Sequence, residues 1–315
     1  MKLILGTRGS ALALAQSRQV VAQLQRAHPD LQIEERIIRT EGDARQNASL
    51  PAIGGKGVFT LEIENALLSG EIDFAIHSLK DLPPDMPAGL CLAAVPRRAS
   101  ASDVLILPSP PNPAAQGAPG QSVGEEVKGV RVVGTSSLRR RAMILSLHPD
   151  WQIEEIRGNI DTRLSKLESQ NFDAIILARA GLQRLRIEEE LKNRIVEFDA
   201  AQFIPAPGQG ALAIQGRSDD ERATKILQVM EDDDTREAII AERAVVRVLN
   251  AGCSTPLGAH AICENGVLTL RACVLSPDGK NRIDAQGKGI PEFAAELGIS
   301  VAQKLLDQGA QELLS

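Results

Sequence analysis

Five arginines, Arg139, Arg140, Arg141, Arg157 and Arg163, fall within 25 residues of a 315-residue chain whose formal net charge is −6. The first three open an expected helix directly after the turn Gly134-Thr135-Ser136-Ser137. Cations favour the C-terminal end of a helix, so placing them in the first turn opposes the dipole and costs stability. An anionic ligand would offset that cost. Backbone N–H groups at a helix start attract anions, and a guanidinium fork matches a carboxylate or phosphate with two bonds at once. A solvated helix face is the ordinary fate of a charge run, and three consecutive positions point in widely different directions around a helical turn. They cannot all face one ligand. Arg157-Gly158-Asn159, however, follows a second expected strand, and Arg163 lies one turn into the helix beyond it. Two strand ends then deliver arginine to one edge of one sheet, which indicates a small molecule with several acidic groups.

Four further groups could carry chemistry. Gly6-Thr7-Arg8-Gly9-Ser10 ends an expected first strand and opens a helix, the place where ligands sit in open α/β sheets. It lacks the spacing of a nucleotide-binding P-loop, and Arg8 is more than a structural turn requires. Gly54-Gly55-Lys56-Gly57-Val58-Phe59 reads either as a flexible turn or as a glycine-hinged lid. His77-Ser78-Leu79-Lys80-Asp81 closes a buried-looking strand. A carboxylate there, opposite arginines, would stabilise a developing cation. Gly252-Cys253-Ser254-Thr255-Pro256 follows a long helix. Cys253 alone among the four cysteines sits in a loop of small residues; Cys91, Cys263 and Cys273 read as buried apolar groups.

These groups need elements to hold them. Leu3–Gly6, Ile33–Arg39 and Phe74–Ser78 are expected strands, with helices at Ala11–Arg26 and Thr60–Leu68 between them. The rhythm resumes at Val130–Gly134 and continues through strands at Ile153–Ile156 and Ala174–Ala178. Alternation of this kind predicts mostly parallel sheets covered by helices. From about Asp233 a long helix, short strands and a final helix predict a smaller α+β domain.

Composition narrows the function. Hydrophobic residues make up 43% and charged residues 24%, ordinary for a globular chain. Aromatics are 2%, with no Tyr and one Trp, so stacking platforms for single-stranded nucleic acid are excluded, and the acidic balance argues against nonspecific nucleic-acid binding. No apolar run has the length of a membrane span, nothing at the start reads as a signal peptide, and no Cys pair has metal or redox spacing. The expectation is a cytoplasmic protein without membrane or metal.

Taken in order along nearly the whole chain, Gly6–Ala13, Gly54–Gly57, His77–Asp81, Gly134–Arg140, Arg157–Asn159, Ala180–Leu185, Gly208–Ala211 and Gly252-Cys253 closely resemble the porphobilinogen deaminase (hydroxymethylbilane synthase) family. The resemblance implies three domains: two α/β lobes like those of type II periplasmic binding proteins, and a smaller α+β C-terminal domain. Their expected extents are 1–101 with 205–230, then 102–204 with a Pro/Gly-rich loop at 108–128, and last 231–315. It implies a monomeric transferase that condenses four porphobilinogen molecules on a dipyrromethane cofactor, releases four ammonia molecules and hydrolyses off the linear product. By the same resemblance Cys253 carries the cofactor through a thioether and Asp81 is catalytic. Arg8, Ser10, Lys80, Ser136, Ser137, Arg139, Arg140, Arg157, Arg163 and Arg184 bind cofactor or substrate carboxylates. Lys56 and Phe59 belong to a mobile loop, Thr135 and Gln209 lie near the site, and Arg141 falls outside the shared motif. Two other readings are a solute-binding or sensory module for a polycarboxylate and a phosphate-dependent transferase, the latter without any complete nucleotide motif.

Overall fold

Leu3-Ile4-Leu5 and Phe74-Ala75-Ile76 are apolar at every position, the pattern of strands covered on both faces. The computed structural model describes residues 1–40, 60–109, 127, 129–252 and 255–314. In chain order its strands are β1 (Lys2–Thr7), β2 (Gln32–Ile37), β3 (Phe74–Ser78), β4 (Leu90–Ala94), β5 (Asp103–Ile106), β6 (Val132–Gly134), β7 (Gln152–Glu154), β8 (Ala174–Ala178), β9 (Ile195–Glu197), β10 (Leu212–Arg217), β11 (Leu257–Glu264), β12 (Val267–Leu275) and β13 (Arg282–Gly289). The main helices are α1 (Ala11–Ala27), α2 (Leu61–Leu68), α3 (Leu138–Leu147), α4 (Ile160–Ser169), α5 (Arg179–Leu185), α6 (Glu221–Leu227), α7 (Asp233–Val248) and α8 (Ala294–Asp307). Two compact units emerge, Met1–Ala99 with Gly210–Arg236 and Ser100–Gln209 with Glu237–Ser315.

The first unit holds a sheet of order β2-β1-β3-β10-β4, parallel from β2 to β3, with β10 antiparallel to both its neighbours. Leu3, Leu5, Phe74, Ile76 and Ile214 face Val20 and Leu24 of α1. Ile72, Ala75 and Leu90 pack on the other side with Ile63 and Leu67 of α2. The second unit repeats the arrangement as β7-β6-β8-β5-β9, with β5 the antiparallel strand. Its two faces bury Leu105, Val133 and Ile176 with Met143 of α3, and Val104, Ile106 and Ile175 with Leu167 of α4 and Leu182 of α5. In both sheets the antiparallel strand is the first strand after the chain enters that unit.

The smaller C-terminal domain is the antiparallel sheet β11-β12-β13 covered by α7 and α8. Gly298 lets the two helices meet: a Cβ there would fall 2.5 Å from the Ala244 Cβ and inside contact distance of the Ala241 carbonyl oxygen. Glu242 of α7 is fully buried, its Oε1 accepting from Ala261 N at 2.8 Å and its Oε2 from Gly208 N at 2.6 Å. Both carboxylate oxygens thus meet a backbone donor, as a buried polar group requires. Glu242 also fastens the Pro205–Gly210 segment to the first strand of the small domain.

The expected strands and helices are present; β10 and α5 are additional, as are β4, β5 and β9. Each of these three is a run of at most five residues, too short for periodicity to separate a strand from a loop. Of the Pro/Gly-rich stretch expected at 108–128, residues 110–126 and 128 lie outside the described residues.

The helix contact at Gly298 yields a stability test. Gly298→Ala is expected to destabilise the protein by about 1–3 kcal/mol, the usual cost of overpacking. A denaturant midpoint equal to that of the unsubstituted protein would show that the helices separate freely.

Candidate functional site

The carboxyl edge of the first sheet gathers the predicted groups of that unit. β1 runs into Thr7-Arg8-Gly9-Ser10, where Ser10 caps α1 by accepting from Ala13 N at 3.3 Å. Thr7 is fully buried, and its hydroxyl accepts from Ser17 Oγ at 2.8 Å, so the turn is pinned to the helix it starts. Next to β1, β3 ends at Ser78, whose hydroxyl accepts from Gln16 Nε2 at 2.9 Å. The following turn, Leu79–Asp81, is one short 3₁₀ helix anchored by buried Leu79. It leaves Lys80 half-buried and Asp81 exposed. Asp81 makes no hydrogen bond or ion pair among the described residues, so its carboxylate is available to a ligand.

His77 stands at the foot of this turn. Burial pushes its imidazolium down to about 4, despite Gln215 beside it, and the positive Arg8 adds to the shift. It is therefore a neutral ring near pH 7, with Nε2 buried and unpartnered among the described residues. The ends of β1 and β3 lie together because the two strands pair in parallel.

The second sheet makes a matching edge with far more positive charge. β6 ends in Gly134, and buried Thr135 donates its N–H to Glu154 O at 2.9 Å. Ser136 Oγ donates to Ile156 O at 2.7 Å, tying the turn to the segment after β7. Ser137 caps α3 by accepting from Arg140 N at 3.4 Å. Beyond β7, Arg157 pairs with exposed Glu155 at 3.0 Å. Gly158 has φ +113°, and Asn159 caps α4 through Thr162 N at 2.9 Å. A side chain at Gly158 would strike Thr162 at 2.6 Å, so glycine is required for this turn. Arg163 donates Nε to Gly158 O at 2.9 Å, and Lys166 donates Nζ to Arg157 O at 3.0 Å.

Arg140, Arg157 and Arg163 belong to one electrostatic group. Burial, with smaller contributions from the charges of Arg140 and Arg157, lowers the Arg163 pKa from the ordinary arginine value to about 10. A guanidinium, desolvated beside two others, is a site prepared for an anion. Arg140 is itself buried, as is Arg139, whereas Arg141 is exposed as the helix geometry predicted.

Arg139 is placed apart from this group. It reaches inward to Asp103 and to Ile204 O at 2.9 Å, with its guanidinium carbon 5.6 Å from the Phe203 ring centre. Gln209 is buried as well, donating Nε2 to Ala101 O at 2.7 Å. Arg184 lies half-buried on α5, the helix after β8, which adjoins β6 in the sheet. Cys253, Lys56 and Phe59 lie outside the described residues.

Sequence reasoning did not single out Asp103 or Lys166. Asp103 begins the apolar run Val104–Leu107, and a carboxylate at the head of a fully buried strand was its signal. Lys166 follows Arg163 by one helical turn, the spacing that puts two residues on one face.

Residues 3–225 match the family model for "Porphobilinogen deaminase, dipyromethane cofactor binding domain", and residues 236–307 match "Porphobilinogen deaminase, C-terminal domain". Curated relatives run nearly the full length. The porphobilinogen deaminase of Desulforamulus reducens is 43% identical over 99% of this chain and 97% of its own. That of Brevibacillus brevis is 45% identical over 98% and 96%, and that of Thermus thermophilus 44% identical over 99% and 98%.

The depressed Arg163 pKa has a sign that can be tested. The unfolded chain holds this proton more tightly than the folded one. The folded protein is therefore destabilised, by at most about 3 kcal/mol, at every pH below about 10, and the penalty fades as pH rises beyond that toward the ordinary arginine value. Arg163→Gln is expected to raise the thermal midpoint of the ligand-free protein at pH 7. A lower midpoint would mean that the guanidinium is already compensated.

Proposed function

The chain belongs to the porphobilinogen deaminase family, and we propose that the residues of its two sheet edges divide that family's chemistry between binding and catalysis. The protein is a transferase of tetrapyrrole biosynthesis. It condenses four porphobilinogen molecules head to tail, releases four ammonia molecules and hydrolyses off linear hydroxymethylbilane. The observation that carries the residue assignment is the surplus of desolvated positive charge around Arg163. Porphobilinogen carries two carboxylates, so every unit added to the chain brings anions for guanidinium groups to meet.

Arg140, Arg157, Arg163 and the half-buried Arg184 hold carboxylates at the second edge, assisted by Ser136, Ser137 and the neighbouring Thr135. Arg8, Ser10 and Lys80 do so at the first. Lys56 and Phe59 are assigned to the substrate site, and Gln209 to support from the segment it occupies. The dipyrromethane cofactor suits this donor set, because its acidic side chains supply negative charge for Arg163, which meets no carboxylate among the described residues. Cys253 is assigned the thioether. When bound, the dipyrromethane supplies a tethered pyrrole to which the incoming unit is joined.

Asp81 acts on the substrate. Its carboxylate accepts a hydrogen bond from the pyrrole N–H of porphobilinogen. As the C–N bond of the protonated aminomethyl group breaks and the nitrogen leaves as ammonia, the methylene carbon stays on the ring and positive charge spreads over both. A fixed negative group at the N–H stabilises the developing cation more than the neutral substrate, which lowers the barrier. His77, held neutral, adds no competing positive charge beneath the turn.

Monomeric action in the cytoplasm is part of the same proposal; among the described residues no helix is long and apolar enough to cross a membrane. A two-lobed solute-binding module would hold the same anions, yet it would release no ammonia and need no Cys253.

The intact mass of the denatured protein is expected to exceed the chain mass by two linked pyrrole units, and the excess should be absent from Cys253→Ser. An unmodified wild-type chain with full turnover would refute the attachment. Asp81→Asn is expected to keep the added mass while turnover falls roughly 100-fold or more, the scale for removing one electrostatic group. A near-normal rate would exclude Asp81 from catalysis.

A further inference from the structure

Asp103 is the first residue of β5 and is completely buried. An ionised carboxylate stays in a core only where its charge is met, and here two guanidinium groups meet it. Oδ2 accepts from Arg139 Nη2 at 2.7 Å, while Oδ1 accepts from Arg140 Nε at 2.9 Å and Nη2 at 2.8 Å. The two arginines are adjacent in the first turn of α3, where successive side chains diverge by about 100°. One carboxylate draws them back together.

Their remaining contacts differ in kind. Arg139 spends Nη1 on Ile204 O and on Met143 Sδ at 3.5 Å, beside Phe203, and its Nε is buried without a partner among the described residues. Those contacts lie inside the core. Arg140 donates Nη1 to Ile176 O at 2.9 Å. Its Nη1 and Nη2 each carry a second hydrogen that these bonds leave unused, and its charge acts on Arg163. Arg140 is thus the member of the pair that belongs to the anion site.

We propose that Asp103 is a positioning residue: it ties Arg139 into the core as a strut and aims the unused N–H edge of Arg140, beside Arg157 and Arg163, at a carboxylate of substrate or cofactor. The assignment rests on the function proposed above. A purely structural triad could be replaced by apolar side chains without loss. Such a replacement would leave Arg140 without the contact that holds its edge in register, and a displacement of 1 Å at a reacting complex can cost about 100-fold in rate.

The test compares wild type, Asp103→Asn and the charge-balanced Asp103→Asn/Arg139→Gln. Thermal midpoint, added mass of the denatured protein, and KM and kcat for porphobilinogen are measured on each. Asp103→Asn is expected to be destabilised, since it leaves buried cations unmet. The double variant is expected to regain most of that stability. Its kcat/KM should remain about 10- to 100-fold below wild type, mainly through a raised KM, or its cofactor loading should be incomplete by mass. Recovery of stability, loading and KM together in the double variant would overturn the positioning role and leave Asp103 as a structural partner only. A single variant too unstable to purify leaves the decision to the double variant. Wild type that carries no added mass and releases no ammonia would instead overturn the functional reading beneath it.

Discussion

Like charges withdrawn from water govern the second lobe. Two cations 4 Å apart repel by about 4 kcal/mol at an effective dielectric constant of about 20, a large share of the roughly 5–15 kcal/mol that keeps a protein folded. Arg163 is desolvated near Arg140 and Arg157, and each of the three is held by separate anchors: the Gly158 carbonyl, the Asp103 carboxylate with the Ile176 carbonyl, and the Glu155 carboxylate. The neighbouring turns follow from that need. Gly158 adopts a backbone angle that only glycine tolerates well, so that its carbonyl meets Arg163, and Lys166 secures the Arg157 carbonyl from the next turn of α4. The local arrangement is unfavourable by itself, a cost that the carboxylates of the proposed ligand would offset.

The two lobes use one topology for different ends. In each, a central parallel strand runs into a turn whose serine caps the next helix, Ser10 for α1 and Ser137 for α3. Both turns open a helix at the carboxyl edge of their sheet. The first lobe adds the exposed carboxylate of Asp81, four residues beyond a neutral histidine. The second adds cations. A reaction whose substrate is anionic at its side chains and becomes cationic at its ring calls for both environments.

Much of this was legible in the linear chain because the relevant signals are local. Strand ends, capping serines and glycine turns are short patterns, and the arginines at 157 and 163 fall where two successive elements meet. The exposure of Arg141 followed from helix geometry. The buried strand β5 escaped notice, since four apolar residues ahead of a proline-rich stretch have no period to read, and Asp103 escaped with it. The grouping of Arg139 with Arg140 was also incomplete. Adjacent arginines of one type look equivalent in sequence, and only the surroundings distinguish the one whose partners lie in the core.

The amino-acid sequence by itself determined the family, the alternation of strands and helices, and which residue types stand at the strand ends, because each depends on neighbours a few positions apart. Tertiary structure decided which charges meet. Asp103 reaches Arg139 and Arg140 only because β5 returns antiparallel beside β8, two strands from β6, and the fate of His77 depends on the sheet that excludes water from it. Ion pairing and desolvation act through space and depend on what surrounds a group. They are properties of the packed fold, to which adjacency along the chain gives no access.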